Sequence, residues 1–158
     1  MQLILWRHAE AEDEAASDLE RPLTERGIKQ AARMSAWLHA QCGELDGWRV
    51  IVSPALRTRQ TATALSCKFE VVDSIVTDVP PDNIFAAAGW PNAPKNVIVV
   101  GHQPTLGMVC ARLLNDADGY VAVKKGAMWW FETRQRDGMM QTVLRTMVTP
   151  ESVQAASK

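Results

Sequence analysis

Asn96-Val-Ile-Val-Val-Gly101 is the clearest strand in this sequence of 158 residues, because a short, continuous apolar run is typical of a strand buried on both faces. The segment that follows it carries apolar side chains at the spacing of a helix, at Leu106, Val109, Cys110, Leu113 and Leu114. The stretch therefore predicts a strand that leads directly into a helix, which is the repeating unit of a parallel sheet.

The N-terminal segment has the same organisation. Gln2-Leu-Ile-Leu-Trp6 predicts a second buried strand, which ends at a polar cluster. Thr24 is suited to the N-cap of a helix from Glu25 to about Gln41, which Gly43 ends.

A third strand and helix lie between these two units. Arg49-Val-Ile-Val-Ser53 predicts the strand. Ser53-Pro54 supplies an N-cap and a proline at the first position of a helix that we expect to reach about Ser66. Farther along, Phe69 to Val72 predicts a short strand, and Asn83 to Ala88 a helical turn.

The C-terminal part changes to a hairpin. Ala127 to Arg134 and Met140 to Val148 flank Arg136-Asp-Gly138, whose Asp-Gly pair is typical of a tight turn. Strands that alternate with helices imply a mainly parallel sheet covered on both faces. We therefore predict an α/β fold: a three-layer α/β/α sandwich with a mainly parallel central sheet and an antiparallel edge hairpin.

Length and composition fit one folded domain. The chain is 47% hydrophobic and 22% charged, as in folded globular proteins. We expect a single domain over residues 1–150 and a flexible C-terminal tail over 151–158, after Pro150.

Charge and cysteine content exclude several classes of protein. The net charge of −1 gives no general attraction to nucleic acid or to an anionic membrane surface. No apolar stretch approaches the roughly 20 residues that span a bilayer, and the first apolar run is too short for a signal peptide. The three cysteines are widely separated, which predicts neither disulfides nor a zinc site. We expect a cytoplasmic protein with no nucleic-acid or membrane partner.

Polar side chains follow three of the predicted strands, at the ends where parallel sheets bind ligands. The first strand ends in Arg7-His8, and the clearest strand ends in Gly101-His102. Arg57 lies just inside the helix after the third, and helical side chains lean toward the N-terminus, so its guanidinium can reach the same edge. Arginines beside backbone amides at a helix start predict a site for a phosphoryl group or another anion.

Other interpretations of the histidines are weaker. One histidine at a strand end is often structural, but two such histidines, one beside an arginine, favour a functional site. A metal site is disfavoured because a cationic pocket repels a divalent ion and no His-Glu-x-x-His or paired-cysteine pattern supplies further ligands. We expect no metal and no cofactor. His39 is expected to be structural, since a cation is favourable near a helix C-terminus.

Several motifs together resemble the histidine phosphatase superfamily, whose fold is called phosphoglycerate mutase-like. They are Arg7-His8-Ala-Glu10, Leu23-Thr24-Glu-Arg-Gly27, Ser53-Pro54-Ala-Leu-Arg57 with Gln60-Thr61-Ala62, and Gly101-His102. Within the superfamily, Ser17-Asp18-x-x-Arg21-Pro22-Leu23-Thr24 and the overall length are most similar to the short SixA-type phosphohistidine phosphatases.

The resemblance implies a phosphatase with a histidine nucleophile. His8 would attack the phosphorus, and water would then hydrolyse the phosphohistidine intermediate. Arg7, Arg57 and His102 would surround the phosphoryl oxygens, where preorganised positive charge stabilises the transition state.

Three further residues are candidates by the same resemblance. Gly101 would allow close approach of the backbone to the phosphate, or simply form a turn. Arg21 would guide the substrate or pair with a carboxylate. Asp18 is the candidate general acid, with a loop-capping carboxylate as the alternative.

The substrate is the most open question. Only 43 residues separate Arg57 from Gly101, which leaves little room for a lid and implies an open site. An imidazole leaving group can be protonated by solvent, whereas an alkoxide needs more help. We therefore favour phosphohistidine on a signalling protein; the alternatives are a small phosphate ester, hydrolysed by the same mechanism, and a non-catalytic phosphate-binding module.

Overall fold

The computed structural model describes residues 1–153 of the chain. Among these residues the strands and helices alternate up to a C-terminal hairpin. In chain order they are β1 (Gln2–Arg7), α1 (Glu25–Cys42), β2 (Trp48–Val52), α2 (Leu56–Thr63), β3 (Glu70–Val71), α3 (Pro81–Ala88), β4 (Asn96–Gly101), α4 (Thr105–Leu113), β5 (Met128–Arg136) and β6 (Met139–Val148). Two short 3-10 turns lie at Asp18–Glu20 and Asp73–Ile75.

One six-stranded sheet runs through the molecule in the order β3-β2-β4-β1-β5-β6. The first four strands of this order are parallel, and β5 and β6 are antiparallel at one edge. The predicted mainly parallel sheet with an antiparallel edge hairpin is confirmed. Because Arg7 pairs with Gly101, the ends of β1 and β4 meet at the same edge of the sheet.

Alternate side chains of the strands pack into two separate hydrophobic cores, one on each face of the sheet. Ile4 and Trp6 belong to the core beneath α1 and α2. Leu3 and Leu5 belong to the core beneath α3 and α4. Successive strand residues point to opposite faces, so a strand with a core on each side needs a continuous apolar run. The helices cover both faces of the sheet, which confirms the predicted three-layer sandwich.

The start of α2 differs from the prediction. The helix begins at Leu56, not at Pro54, and ends at Thr63, before the predicted Ser66. Ser53 does not act as its N-cap, which is Ala55 in an extended conformation. Ser53 makes other contacts instead: its carbonyl accepts a hydrogen bond from Thr58 at 2.8 Å, and its hydroxyl contacts the side chain of His102, which follows β4.

The end of the chain is only partly described. Ser152 donates its backbone N–H to the Thr149 carbonyl at 3.1 Å, and Val153 packs against the core beneath α1. The remainder of the predicted tail, 154–158, lies outside the described residues. None of the helices that the structure describes is long and apolar enough to cross a bilayer.

Candidate active site

A cavity of about 280 Å³ lies at the carboxyl edge of the sheet, where β1, β2 and β4 end. Four cationic side chains and two carboxylates contribute to its walls. The lining residues are Arg7, His8, Ala11, Asp18, Arg21, Arg57, Thr77, Asp78, His102, Gln103 and Lys125. The cavity therefore brings together all four residues that were predicted at the strand ends.

His8 is held in a defined position by its backbone. Its N–H donates to the Gly101 carbonyl at 3.1 Å, and its own carbonyl accepts from the Gly126 N–H at 3.0 Å. The ring is almost fully buried, and its Nδ1 lies 2.7 Å from the Ala9 carbonyl. Because a carbonyl only accepts, Nδ1 carries the proton and Nε2 keeps its lone pair.

The surroundings keep the His8 ring neutral. Burial is the main cause that lowers the pKa of His8 to about 4, and the charges of Arg57, Arg7 and Arg21 lower it further. The Ala9 carbonyl acts in the opposite direction but does not outweigh them. At neutral pH the Nε2 atom therefore carries no proton, and its lone pair is available.

Arg7 is fixed by the loop that precedes β5. Its Nη1 donates to the Val123 carbonyl at 2.8 Å. Its Nε atom is buried and has no hydrogen-bond partner among the described residues. Burial first, and then the charge of Arg57, lower the pKa of Arg7. An unpaired, buried donor in a cationic wall is suited to an anionic ligand.

Arg57 lies in the first turn of α2 and is only 3% exposed. Its Nη1 donates to the Asp18 carbonyl at 2.7 Å, and its Nη2 to Asp18 Oδ2 at 3.1 Å. Its Nε is buried without a partner in the described part of the chain, like that of Arg7. Each of these two guanidinium groups therefore has a buried N–H without an acceptor among the described residues, and both groups line the cavity with His8.

Asp18 joins Arg57 to Arg21. Arg21 Nη2 lies 3.0 Å from Asp18 Oδ1, and Arg21 Nη1 donates to the Glu12 carbonyl at 3.0 Å. Burial alone would raise the pKa of Asp18, but the hydrogen bonds and charges of Arg57 and Arg21 together lower it. Asp18 is therefore ionised at neutral pH, and these contacts favour a positioning role over proton donation.

His102 follows β4 and packs beside His8, with 5.5 Å between the ring centroids. Its Nε2 lies 2.6 Å from the Ser53 hydroxyl, and its Nδ1 lies 3.4 Å from Arg57 Nη2. Burial first, and then the neighbouring His8 and Arg57, lower the pKa of His102 to about 3. This ring is also neutral when the cavity holds no anion.

Gly101 has a packing position beneath α4. A Cβ atom built on it would lie 3.4 Å from Leu106, and its carbonyl accepts the His8 N–H. Its backbone therefore helps to position His8. Direct contact with a phosphate stays a prediction.

Several lining residues come from loops that the sequence patterns did not mark as functional. Asp78 is exposed and has a left-handed φ of 61°. Lys125 precedes Gly126, which also has a positive φ. No pattern in the sequence indicates these two side chains, but Gln103 directly follows Gly101-His102 and could have been suspected from that position.

His39 lies away from the cavity, with its ring nitrogens 3.0 Å from the carbonyls of Gly43 and Leu65. Within residues 1–153, no group of three or more His, Cys, Asp or Glu side chains is arranged to hold a metal ion.

Comparison with known proteins identifies the relatives of this chain. The Histidine phosphatase superfamily (branch 1) matches residues 3–78. The phosphohistidine phosphatase SixA of Escherichia coli strain K12 is 34% identical over 121 residues, which cover 72% of this chain and 74% of that protein. The phosphohistidine phosphatase SixA homolog of Haemophilus influenzae is 28% identical, over 95% of this chain and 97% of that protein.

Solved structures agree with the sequence comparison. The structure of the protein histidine phosphatase SixA complexed with tungstate has a TM-score of 0.77 and 26% identity, and the alignment covers 98% of this chain and 100% of that one. A putative phosphohistidine phosphatase SixA from Agrobacterium tumefaciens, 18% identical, shares the fold with a TM-score of 0.77 over 94% of this chain and 97% of that chain.

Proposed function

This chain belongs to the histidine phosphatase superfamily and is a phosphatase of that type, and we propose that its substrate is phosphohistidine on a signalling protein. The observation that carries the proposal is the neutral His8 ring, whose Nε2 is free beside Arg7 and Arg57, two arginines whose Nε atoms are buried and have no partner among the described residues. A nucleophile next to preorganised cations is what phosphoryl transfer to a side chain requires.

The proposed reaction has two steps. In the first, the Nε2 lone pair of His8 forms a bond to phosphorus while the bond from phosphorus to the substrate nitrogen breaks, and that nitrogen takes up a proton. In the second, water attacks phosphorus, the bond to Nε2 breaks, and inorganic phosphate leaves. Arg7, Arg57 and His102 would stabilise the charge on the phosphoryl oxygens in both steps.

The leaving group is the reason to favour phosphohistidine. Asp18, ionised and bound to two arginines, is poorly suited to give a proton to an alkoxide. An imidazole leaving group accepts its proton at neutral pH from solvent, so its departure depends less on a protein acid. A cavity with an ionised Asp18 therefore fits phosphorus–nitrogen bonds better than phosphate esters.

No metal or cofactor takes part in this proposal. The charge that a metal would supply comes from Arg7, Arg57, Arg21 and Lys125, which line the same cavity. Arginine also provides fixed hydrogen-bond geometry toward phosphoryl oxygens. Chelation should leave the activity unchanged, and inactivation that a specific metal reverses would contradict this part. A cytoplasmic location, as the separated cysteines predict, belongs to the same proposal.

One observation favours a small phosphate ester as the second candidate substrate. Asp78 lines the cavity, and the structure gives it no ion pair within residues 1–153. A carboxyl group in this position could protonate an ester leaving group. The mechanism at His8 would be the same for both substrates.

The test compares turnover of a phosphohistidine-bearing protein with turnover of a panel of phosphate monoesters. We expect higher kcat/KM for the phosphohistidine protein, and loss of both activities in His8→Ala. His39→Ala is the matched control, because that ring lies outside the cavity, and it should keep wild-type kinetics.

The possible outcomes separate the alternatives. Faster turnover of the monoesters would support the ester phosphatase and remove phosphohistidine as the substrate. Tight binding of phosphorylated protein without any turnover would support a binding module. Full activity in His8→Ala would contradict the mechanism itself.

A further inference from the structure

The buried hydroxyl of Ser53 is placed to control the proton on His102. Ser53 lies directly after β2, is 0% exposed, and its Oγ is 2.6 Å from His102 Nε2. The other ring nitrogen, Nδ1, lies 3.4 Å from Arg57, a residue of the cavity wall. The two nitrogens of His102 therefore have different surroundings: Nε2 contacts a buried side chain, and Nδ1 lies beside the cavity.

The hydrogen bonds around Ser53 define where the proton of His102 lies when the cavity holds no anion. A guanidinium group only donates, so Arg57 leaves Nδ1 of His102 as an acceptor and the proton on Nε2. The Ser53 oxygen then accepts from Nε2. It also accepts from the Ala55 backbone N–H at 3.4 Å, which uses its second lone pair. Ser53 thus acts as an acceptor toward His102.

A phosphoryl group changes the requirement at Nδ1. Phosphoryl oxygens are acceptors, and a bare Nδ1 would face them with its lone pair. His102 can bind them only when Nδ1 also carries a proton. Ser53 already accepts a hydrogen bond from the N–H at Nε2. The second proton therefore makes the ring an imidazolium that donates to Ser53 from Nε2 and to a phosphoryl oxygen from Nδ1.

The charged neighbours of His102 explain why this change depends on the ligand. Four charged or titratable groups lie near His102. Arg7 is the last residue of β1, His8 directly follows it, Arg57 lies on α2, and Asp18 lies on the loop after β1. The arginines disfavour an imidazolium in the empty cavity. A bound dianion opposes their charge and favours the imidazolium instead.

We propose that Ser53 is a positioning residue that holds the Nε2 proton of His102, so that binding of a phosphoryl dianion is coupled to uptake of one proton at Nδ1. The inference rests on the proposed phosphatase function of the cavity and assigns a proton to its second histidine. A water molecule or buffer acid gives up the proton, its bond to that proton breaks, and an N–H bond forms on Nδ1; no other covalent bond of the protein or of the anion changes.

Tungstate is the probe for this test, because it is a tetrahedral dianion that carries no proton at neutral pH. Calorimetric titration in buffers of different ionisation enthalpy counts the protons that binding takes up. We expect about one proton per bound tungstate in the wild type and in His8→Ala, since the proton goes to His102. His102→Ala should take up none.

Ser53→Ala and Ser53→Thr separate positioning from packing. Ser53→Ala leaves Nε2 without an acceptor, so tungstate should bind about tenfold to a hundredfold more weakly, with proton uptake well below one. Ser53→Thr keeps the hydroxyl and should restore the proton uptake. Weaker binding by Ser53→Ala with unchanged proton uptake would show a structural role and overturn the inference.

Nitrogen NMR of the wild-type protein keeps the test independent of how the variants fold. We expect His102 to carry a proton on Nε2 alone before tungstate is added and on both nitrogens afterwards. Tungstate binding without proton uptake, or with a neutral His102, would overturn this inference and leave the phosphatase proposal intact. Failure of tungstate to bind at all would contradict the phosphoryl site itself.

Discussion

At the scale of single residues, Asp18 determines how the cationic wall is held. Its carboxylate bonds to Arg57 and Arg21, and its backbone carbonyl accepts a further hydrogen bond from Arg57. The Arg57 side chain is almost fully buried, whereas that of Asp18 is 56% exposed. The loop after β1 thus reaches over the start of α2 and fixes the guanidinium of Arg57 in the cavity wall.

This arrangement predicts the effect of Asp18→Asn. Loss of the charge should loosen Arg57 and Arg21 and lower kcat/KM about tenfold to a hundredfold, with a rise in KM. Because the proposed role is positioning, the loss should be the same for good and poor leaving groups. The measurement is kcat/KM for a series of aryl phosphates whose leaving groups differ in pKa.

Asp13→Asn is the matched control for this prediction. Asp13 lies on the same loop and is exposed, but it does not line the cavity of His8. Its kinetics should stay within about twofold of the wild type. A loss in Asp18→Asn that grows with the leaving-group pKa would show that Asp18 is the general acid after all.

The site could be predicted from sequence where each residue follows a recognisable strand. Arg7, His8 and His102 meet because parallel strands end at the same edge of a sheet. The contact between Ser53 and His102 could not be predicted, since a serine before proline is equally typical of a helix N-cap. Asp78 likewise comes from a loop whose path depends on tertiary packing.

At the scale of elements, the contact between α1 and the loop after β1 is unusually close. Gly27 lies in the first turn of α1, and a Cβ atom at this position would come within 2.0 Å of the Glu10 carbonyl oxygen. Gln30 Oε1 accepts the Glu10 N–H at 3.0 Å, and the Glu10 carbonyl accepts the Thr24 N–H at 3.0 Å. The start of α1 therefore anchors the loop that carries Asp18.

Gly27→Ala should break this anchor. The added methyl group overlaps backbone atoms that cannot move aside alone, so we expect the free energy of unfolding to fall by about 1–3 kcal/mol. Gly47→Ala is the control, because nothing lies within 4 Å of its Cβ position, and it should change stability by less than about 0.5 kcal/mol. Urea denaturation measures both, and equal stability of the two variants would contradict the anchoring role.

The elements themselves were predictable to different degrees. The bounds of β4 were predicted correctly, because a continuous apolar run with polar residues beside it has clear ends. The helix α2 is shorter than predicted, since Ser53 and Pro54 lie in the connection between β2 and α2 instead of starting the helix. Such ends depend on contacts between segments distant in sequence, which local patterns do not contain.

At the scale of the whole molecule, the two buried histidines make folding depend on pH. The pKa values of about 4 for His8 and about 3 for His102 lie below the ordinary value of 6.5. At a pH between the folded and the ordinary pKa values, these two histidines bind protons in the unfolded chain but not in the folded chain. The free energy of unfolding must therefore fall as the pH falls below 6.5.

The expected size of this effect is about 2 kcal/mol for each histidine between about pH 7.5 and about pH 5. His8→Asn removes one titrating ring. Between about pH 7.5 and about pH 5, the free energy of unfolding of this variant should therefore fall by about 2 kcal/mol less than that of the wild type. Urea denaturation at both pH values gives the comparison. Parallel pH dependence in the two proteins would contradict a neutral, buried His8.

The proposed mechanism depends above all on a covalent intermediate at His8. The hydrogen bond from Nδ1 to the Ala9 carbonyl leaves only Nε2 to react, so the intermediate should be the Nε2-phosphorylated isomer. Rapid quenching of the reaction with a radiolabelled substrate, followed by mass spectrometry of the labelled peptide, identifies the residue, and phosphorus NMR of the quenched protein identifies the nitrogen. We predict label on Nε2 of His8 in the wild type and none in His8→Ala; label on another residue, or unchanged turnover without His8, would contradict the mechanism.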